Sequence, residues 1–166
     1  MIPSVIDYLL QLPEAMHFAK VNELCSDGIS SYRMLSDYGS GTFQVIELEN
    51  NLLLILIGDY KPKDTFEKIT EISDGYLEIS QFETDSSSFK IGGRKRNQVD
   101  KGIYCYLNTQ KKTYTYCEGG KAVRFTKVIL SPQYFQTYFK LHNENTDILL
   151  NAARDYLLKN PNLPEL

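Results

Sequence analysis

From residue 42 to residue 130 the chain repeats one pattern: a few residues alternating apolar and polar, a turn signal, then alternation again. Successive strand side chains leave opposite faces, so this alternation is the mark of half-buried strands. Residues 42–47 and 76–84 show it most clearly. In the second, Leu77, Ile79 and Gln81 fall on one side, and Tyr76, Glu78, Ser80 and Phe82 on the other. The short apolar run 52–57 follows the turn residues Asn50-Asn51 and reads as a buried strand. Residues 61–74 carry charge and Pro62, and read as a connection with little regular structure. Phe89 and Ile91 mark short strands beside Gly92-Gly93. Three more strands follow in succession at 102–108, 113–118 and 122–130, separated by 108–111 and by Gly119-Gly120. Short strands at this spacing, with glycine turns, build a sandwich or a barrel.

Helical patterns flank this block. Val5, Ile6, Leu9 and Leu10 have helical spacing, with Ser4 as cap and Pro13 as stop, and a second short helix fits 14–24. After Leu130 the period changes from two to about 3.6. Ser131-Pro132 is a helix start, and Tyr134, Phe135, Tyr138 and Phe139 make an apolar stripe. A last helix spans 146–159, capped by Asn145 or Thr146. Ile148, Leu149, Ala152, Ala153, Tyr156 and Leu157 share its face, and Leu150 and Leu158 widen it. The expected class is α+β, mainly β, a β-roll or barrel followed by C-terminal helices. Its parts are a helical segment at 1–27, the β domain at 28–130, helices at 131–159, and a linker at 160–166. The linker's two prolines, Pro161 and Pro164, favour an extended backbone that leads to a further domain.

The 166 residues suffice for one domain with a proper core, and 42% apolar against 23% charged is globular composition. A net charge of −3 argues against a surface that itself holds nucleic acid. Lys90, Arg94, Lys95, Arg96 and Lys101 form a local basic stretch around Gly92-Gly93, read as a solvated turn that blunts a sheet edge. The longest apolar run is too short to span a membrane, and no basic-then-apolar leader opens the chain, so the expectation is a soluble, cytoplasmic protein without membrane contact. Cys25, Cys105 and Cys117 have no CxxC spacing and read as reduced thiols acting as small apolar residues.

Catalytic signals are poor. His17 and His142 lie on opposite flanks of the strand block, no HxH pair exists, and no nucleophile, zinc or phosphate-loop motif is present. No catalytic residue, metal or cofactor is expected. The tyrosines are more informative: there are twelve, with no tryptophan. Tyr104 and Tyr106 share one face of a strand, and Tyr114 and Tyr116 one face of the next. If those strands pair about their loop, four rings meet. They then either line a ligand pocket or form cross-strand pairs on an exposed face. Ile103, Cys105 and Leu107 make the opposite face an equally good interior. Arg124, between Val123 and Phe125, either snorkels outward or pairs with a carboxylate of protein or ligand. The last helix covers either its own barrel or a second subunit, which the small Ala152-Ala153 pair would let approach.

The strand YLEISQFETDSSSF, the strand GIYCYLN, the strand-to-helix run KAVRFTKVILSPQYFQTYF and the closing NPNLPEL together resemble the N-terminal sensor domain of AraC-family transcriptional regulators, over residues 40–166. The resemblance implies a cupin-like β-roll, a helical dimerisation element, and a C-terminal pair of helix-turn-helix units beyond Leu166. The metal-binding histidines of enzymatic cupins have no counterpart here. The expectation is a small-molecule effector in a pocket lined by Tyr104, Tyr106, Tyr114, Tyr116 and Arg124. A homodimer forms through Ile148, Leu149, Ala152, Ala153, Tyr156 and Leu157, and DNA is contacted only by the further domain. Two rival readings are a ligandless dimerisation module and a metal-free cupin-like enzyme.

Overall fold

A computed structural model describes residues 1–84, 87–90, 96–99, 101–138 and 146–159, with 87–90 and 96–99 as backbone only. The fold is α+β and mainly β, with two antiparallel sheets, a helix before them and helices after. The larger sheet starts as a meander of β1 (Phe18–Lys20), β2 (Ile29–Met34), β3 (Gly39–Leu48) and β4 (Leu53–Pro62). The smaller sheet has the order β5 (Phe66–Glu71), β10 (Lys112–Cys117), β7 (Ser87–Lys90), β8 (Arg96–Val99). Beside β4 in the larger sheet run β11 (Val123–Leu130), β6 (Tyr76–Phe82) and β9 (Gly102–Asn108), in that order. The β3–β4 turn carries left-handed φ values at Glu49 (54°), Asn50 (54°) and Asn51 (64°), a conformation asparagine tolerates well, and the sequence places its turn there.

One face of the larger sheet is the main interior. Phe43, Leu56, Tyr60, Phe125 and Ile129 from this face are buried together with Ile72 and with Cys117 of the smaller sheet. The aromatic centre of this core rests on Gly58. Phe125 lies 6.0 Å from Phe43 and 6.2 Å from Tyr60 between ring centroids. A Cβ at Gly58 would stand 2.7 Å from the Phe125 ring. Gly58→Ala therefore forces the ring aside and is expected to cost about 1–3 kcal/mol in chemical denaturation.

Helix α1 (Val5–Ala15) packs into the same core, and its Tyr8 hydroxyl meets Thr115 Oγ1 of β10 at 2.9 Å. Ser4 caps it as expected, accepting from the Asp7 N–H at 3.1 Å. Pro13 does not stop it. A proline there donates nothing to the Leu9 carbonyl, but its own carbonyl still accepts from the Met16 N–H at 3.2 Å. The helix ends where His17 turns left-handed (φ 67°), with its ring stacked 3.7 Å from that of Tyr38. No second helix follows over 14–24. Phe18 is instead drawn between the Phe43 and Tyr60 rings, at 5.6 and 5.2 Å, and β1 forms around it with only a short 3₁₀ turn after. β5 lies within 61–74, read as a connection; its sequence Phe-Glu-Lys-Ile-Thr-Glu has no regular alternation and is mostly exposed on an edge strand, and a charged edge is one way a sheet avoids sticking to another.

α2 (Pro132–Tyr138) and α3 (Thr146–Leu158) cover the other face of the larger sheet. Leu77 and Cys105 from the sheet pack there with Leu130, Phe135, Leu150 and Ala153. Ser131 does not act as a simple cap: its hydroxyl donates to the Leu52 carbonyl at 2.8 Å and ties the strand-to-helix corner to the β3–β4 turn. Phe139, His142 and the 160–166 tail lie outside the described residues. Among the described residues no helix is long and apolar enough to cross a membrane.

The start of α1 depends on a distant residue. Asp74 Oδ1, half-buried, accepts from the Val5 N–H at 2.9 Å. Burial pushes this carboxyl above its usual range, against the lowering effect of that hydrogen bond. The folded chain thus holds the proton to higher pH than the unfolded chain does. This residue's contribution to stability then falls as pH rises through the interval just above the ordinary carboxylate value. Asp74→Ala is expected to cost about 1 kcal/mol through the lost helix-start contact. Asp74→Asn keeps an acceptor, costs less, and removes the slope in a denaturation series against pH.

Candidate functional site

The register of three neighbouring strands places unusual side chains in the interior. Lys127 of β11 stands opposite Ser80 of β6, which stands opposite Tyr104 of β9. One step along, Ile129, Glu78 and Tyr106 make the next row, and one step back stand Phe125, Phe82 and Gly102. Residues directly opposite share a face, and Phe82, Phe125 and Ile129 belong to the main core, so this is the inward face. A lysine, a glutamate and a serine therefore lie among core residues.

Their bonding is incomplete. Lys127 Nζ lies 3.8 Å from Glu78 Oε1, beyond hydrogen-bond length, with side chains 25% and 14% exposed. The same ammonium sits 4.8 Å from the Phe125 centroid and 5.4 Å from that of Phe82, in cation–π range. Ser80 is 1% exposed, and its hydroxyl has no hydrogen-bond partner among the described residues. Glu78 also acts on its neighbours. Burial, and then the Glu78 charge, pushes the Tyr106 hydroxyl up to about 12 and holds Tyr76 well above the usual tyrosine range. Across the interior, Cys117 Sγ and the Tyr60 hydroxyl are 3.2 Å apart. Burial raises this thiol above its usual range although Tyr60 and Lys127 both pull it down. A thiol held protonated in that way is not a nucleophile at neutral pH.

The five residues expected to line a pocket are divided. Tyr104 and Tyr106 are on the inward face, Tyr104 with its ring 6.0 Å from Phe82. β9 and β10 do not pair as a hairpin; β9 pairs with β6, and β10 with β5 and β7. On β10 it is Thr113, Thr115 and Cys117 that turn inward. Tyr114 and Tyr116 therefore stack on the outside of the smaller sheet, 6.3 Å apart, with the Tyr114 hydroxyl donating to Glu67 at 2.8 Å. Arg124 faces outward too, exposed, 3.2 Å from Asp59 and 3.6 Å from Glu83. These carboxylates raise its pKa further, and such exposed pairs contribute little to stability.

Of the two alternatives for the last helix, Leu150 and Ala153 take the chain's own sheet. Both are buried, so Ala153 is not open to a second subunit; Ile148 and Ala152 are exposed. The side chains of Leu149, Tyr156 and Leu157 lie outside the described residues, as do Arg94 and Lys95 of the basic stretch. On either side of Arg94 and Lys95, β7 and β8 pair antiparallel with Lys90 opposite Arg96. Among the described residues no group of three His, Cys, Asp or Glu side chains is placed to hold a metal ion.

Sequence reasoning missed Lys127 and Glu78 as a pair. The signal was present, because Lys127 shares its parity with Val123, Phe125 and Ile129, whereas Arg124 has the opposite parity. No protein-family model matches the chain, and no curated protein is significantly similar to it.

A loosely made, partly exposed ion pair is a poor source of stability, since its attraction is weak and solvent screens it. Replacing both, as Lys127→Met with Glu78→Leu, is expected to leave the protein as stable or to stabilise it by up to about 1 kcal/mol. Lys127→Met alone strands the carboxylate and is expected to destabilise. Urea denaturation of the three proteins checks both signs.

Proposed function

We propose that the chain is a regulatory small-molecule sensor domain, a cupin-like β-roll of the AraC-family type that passes its signal to a helix-turn-helix DNA-binding domain. The observation that carries the reading is the set of under-bonded polar groups, Lys127, Glu78 and Ser80, inside an aromatic interior. Ligand sites are mostly apolar with a few polar groups that fix orientation, and this face has that composition.

The same three strands supply a route for the signal. Glu78 and Ser80 alternate along β6 with Leu77 and Ile79, and Lys127 along β11 with Val128. The alternating residues pack beneath α2 and α3 on the opposite face. A ligand that shifts these strands changes the seat of both helices, which is how two sites come to share a coupling free energy. The sensor needs no catalytic residue, and its homodimer uses the exposed side of α3 at Ile148 and Ala152.

The test is a thermal-unfolding screen of the chain against fractionated metabolite extract, followed by hydrogen exchange on any hit. A ligand at 100 times its dissociation constant adds about 2.7 kcal/mol, a rise of several degrees. The expected hit also slows or speeds exchange in α2 and α3. Absence of any shift across the fractions would leave the ligandless dimerisation module as the better reading.

A further inference from the structure

We propose that the ligand of this face is a small zwitterion, an α-amino acid whose carboxylate meets Lys127 and Ser80 and whose ammonium meets Glu78; the inference rests on the sensor reading. The site's own charges set the class. Lys127 and Glu78 sum to zero, are 25% and 14% exposed, and lie 3.8 Å apart, so neither fills its hydrogen-bonding capacity with the other. An ammonium offers three donors and a carboxylate about four acceptor positions. Ser80 adds a buried hydroxyl with no partner among the described residues, directly opposite Lys127 in register.

Each simpler ligand leaves something unbalanced. A plain carboxylic acid satisfies Lys127 but brings a second negative charge beside Glu78, and like charges held close in a partly shielded site repel. A plain amine makes the mirror-image error beside Lys127. A neutral polyol offers hydroxyls but discharges neither ion. A zwitterion gives each protein charge an opposite partner through charge-assisted hydrogen bonds and buries no net charge. An α-amino acid carries its two charged groups on one carbon, which suits two protein charges on neighbouring strands. The rings of Phe82, Phe125 and Tyr104 beside them favour an apolar or aromatic side chain.

The experiment is calorimetric titration of the chain with matched sets of probes. One set is L-phenylalanine, 3-phenylpropionate and phenethylamine; another is L-leucine, 4-methylpentanoate and isoamylamine. The remaining amino acids and glucose are then run singly. The expected result is one amino acid bound more tightly than its acid or its amine, by about tenfold or more. In Glu78→Gln the preference over the acid disappears, and in Lys127→Gln the preference over the amine disappears. A residue that only supports the fold would weaken all three probes alike.

Equal binding of the acid and the amino acid by the unaltered chain overturns the zwitterion, as does binding of glucose in their place. No binding by any amino acid, while an extract fraction still raises the unfolding temperature, overturns this inference and leaves the sensor reading standing. Failure of the extract as well removes both.

Discussion

The pairing of β11 between β4 and β6 holds the larger sheet together. Along one edge β11 matches β4 from Val123↔Tyr60 to Leu130↔Leu53, and along the other it matches β6 from Phe125↔Phe82 to Leu130↔Leu77. Without it, the meander β1–β4 and the pair β6–β9 would be separate pieces, each with an open edge and half a core. Such long-range strand pairing is cooperative, because each ladder bond fixes the alignment of the next. It also fixes which side chains turn inward, since a slip of one residue would exchange the faces. Phe125 and Ile129 would then leave the core, and Arg124 would enter it.

That dependence on parity explains what the sequence made legible. The two faces of β6 follow the alternation read from the chain: Leu77 and Ile79 go under the helices and Tyr76 and Phe82 into the core. The strand-to-helix change after Leu130 is equally clear, because both periods are strong on either side of it. Local patterns failed where distant contacts decided. Phe18 is a strand residue because Phe43 and Tyr60 await it, and nothing in 14–24 announces that. The four tyrosines meet only if β9 and β10 pair, as strands adjacent in sequence usually do, but β9 and β10 lie in different sheets. The candidate site was hidden for a related reason. Arg124 stood out beside Val123 and Phe125, whereas Lys127 passed unnoticed, although only Lys127 has the parity of the core.

The stability cost of the polar row is concentrated. Most of the interior is conventional, with Tyr60 and Cys117 partnered across it and Gly58 admitting the aromatic rings. Thr113 shares with Ser80 a buried hydroxyl that has no hydrogen-bond partner among the described residues, and Lys127 and Glu78 add a charged pair on the same inward side of the larger sheet. Polar groups on an inward face that leave hydrogen-bonding capacity unused are a common mark of a site shaped by another requirement. The proposed sensor function would use this cost, since the energy that the groups fail to gain from one another is available to a partner.

The coupling between that partner and the helices follows from the period of the strand itself. Glu78 and Ser80 cannot move without Leu77 and Ile79, since they alternate on one backbone, and the latter pair seats α2 and α3. A sheet region packed on both faces resists gradual deformation and tends to shift as a unit. Ligand contacts made only in one of two such positions would bias the helices by the difference in affinity and by no more. The inward polar row and the outward helical cover are therefore two readings of the same alternation, and under the proposed function an effector that touched only the first would act on the second through the strands between them.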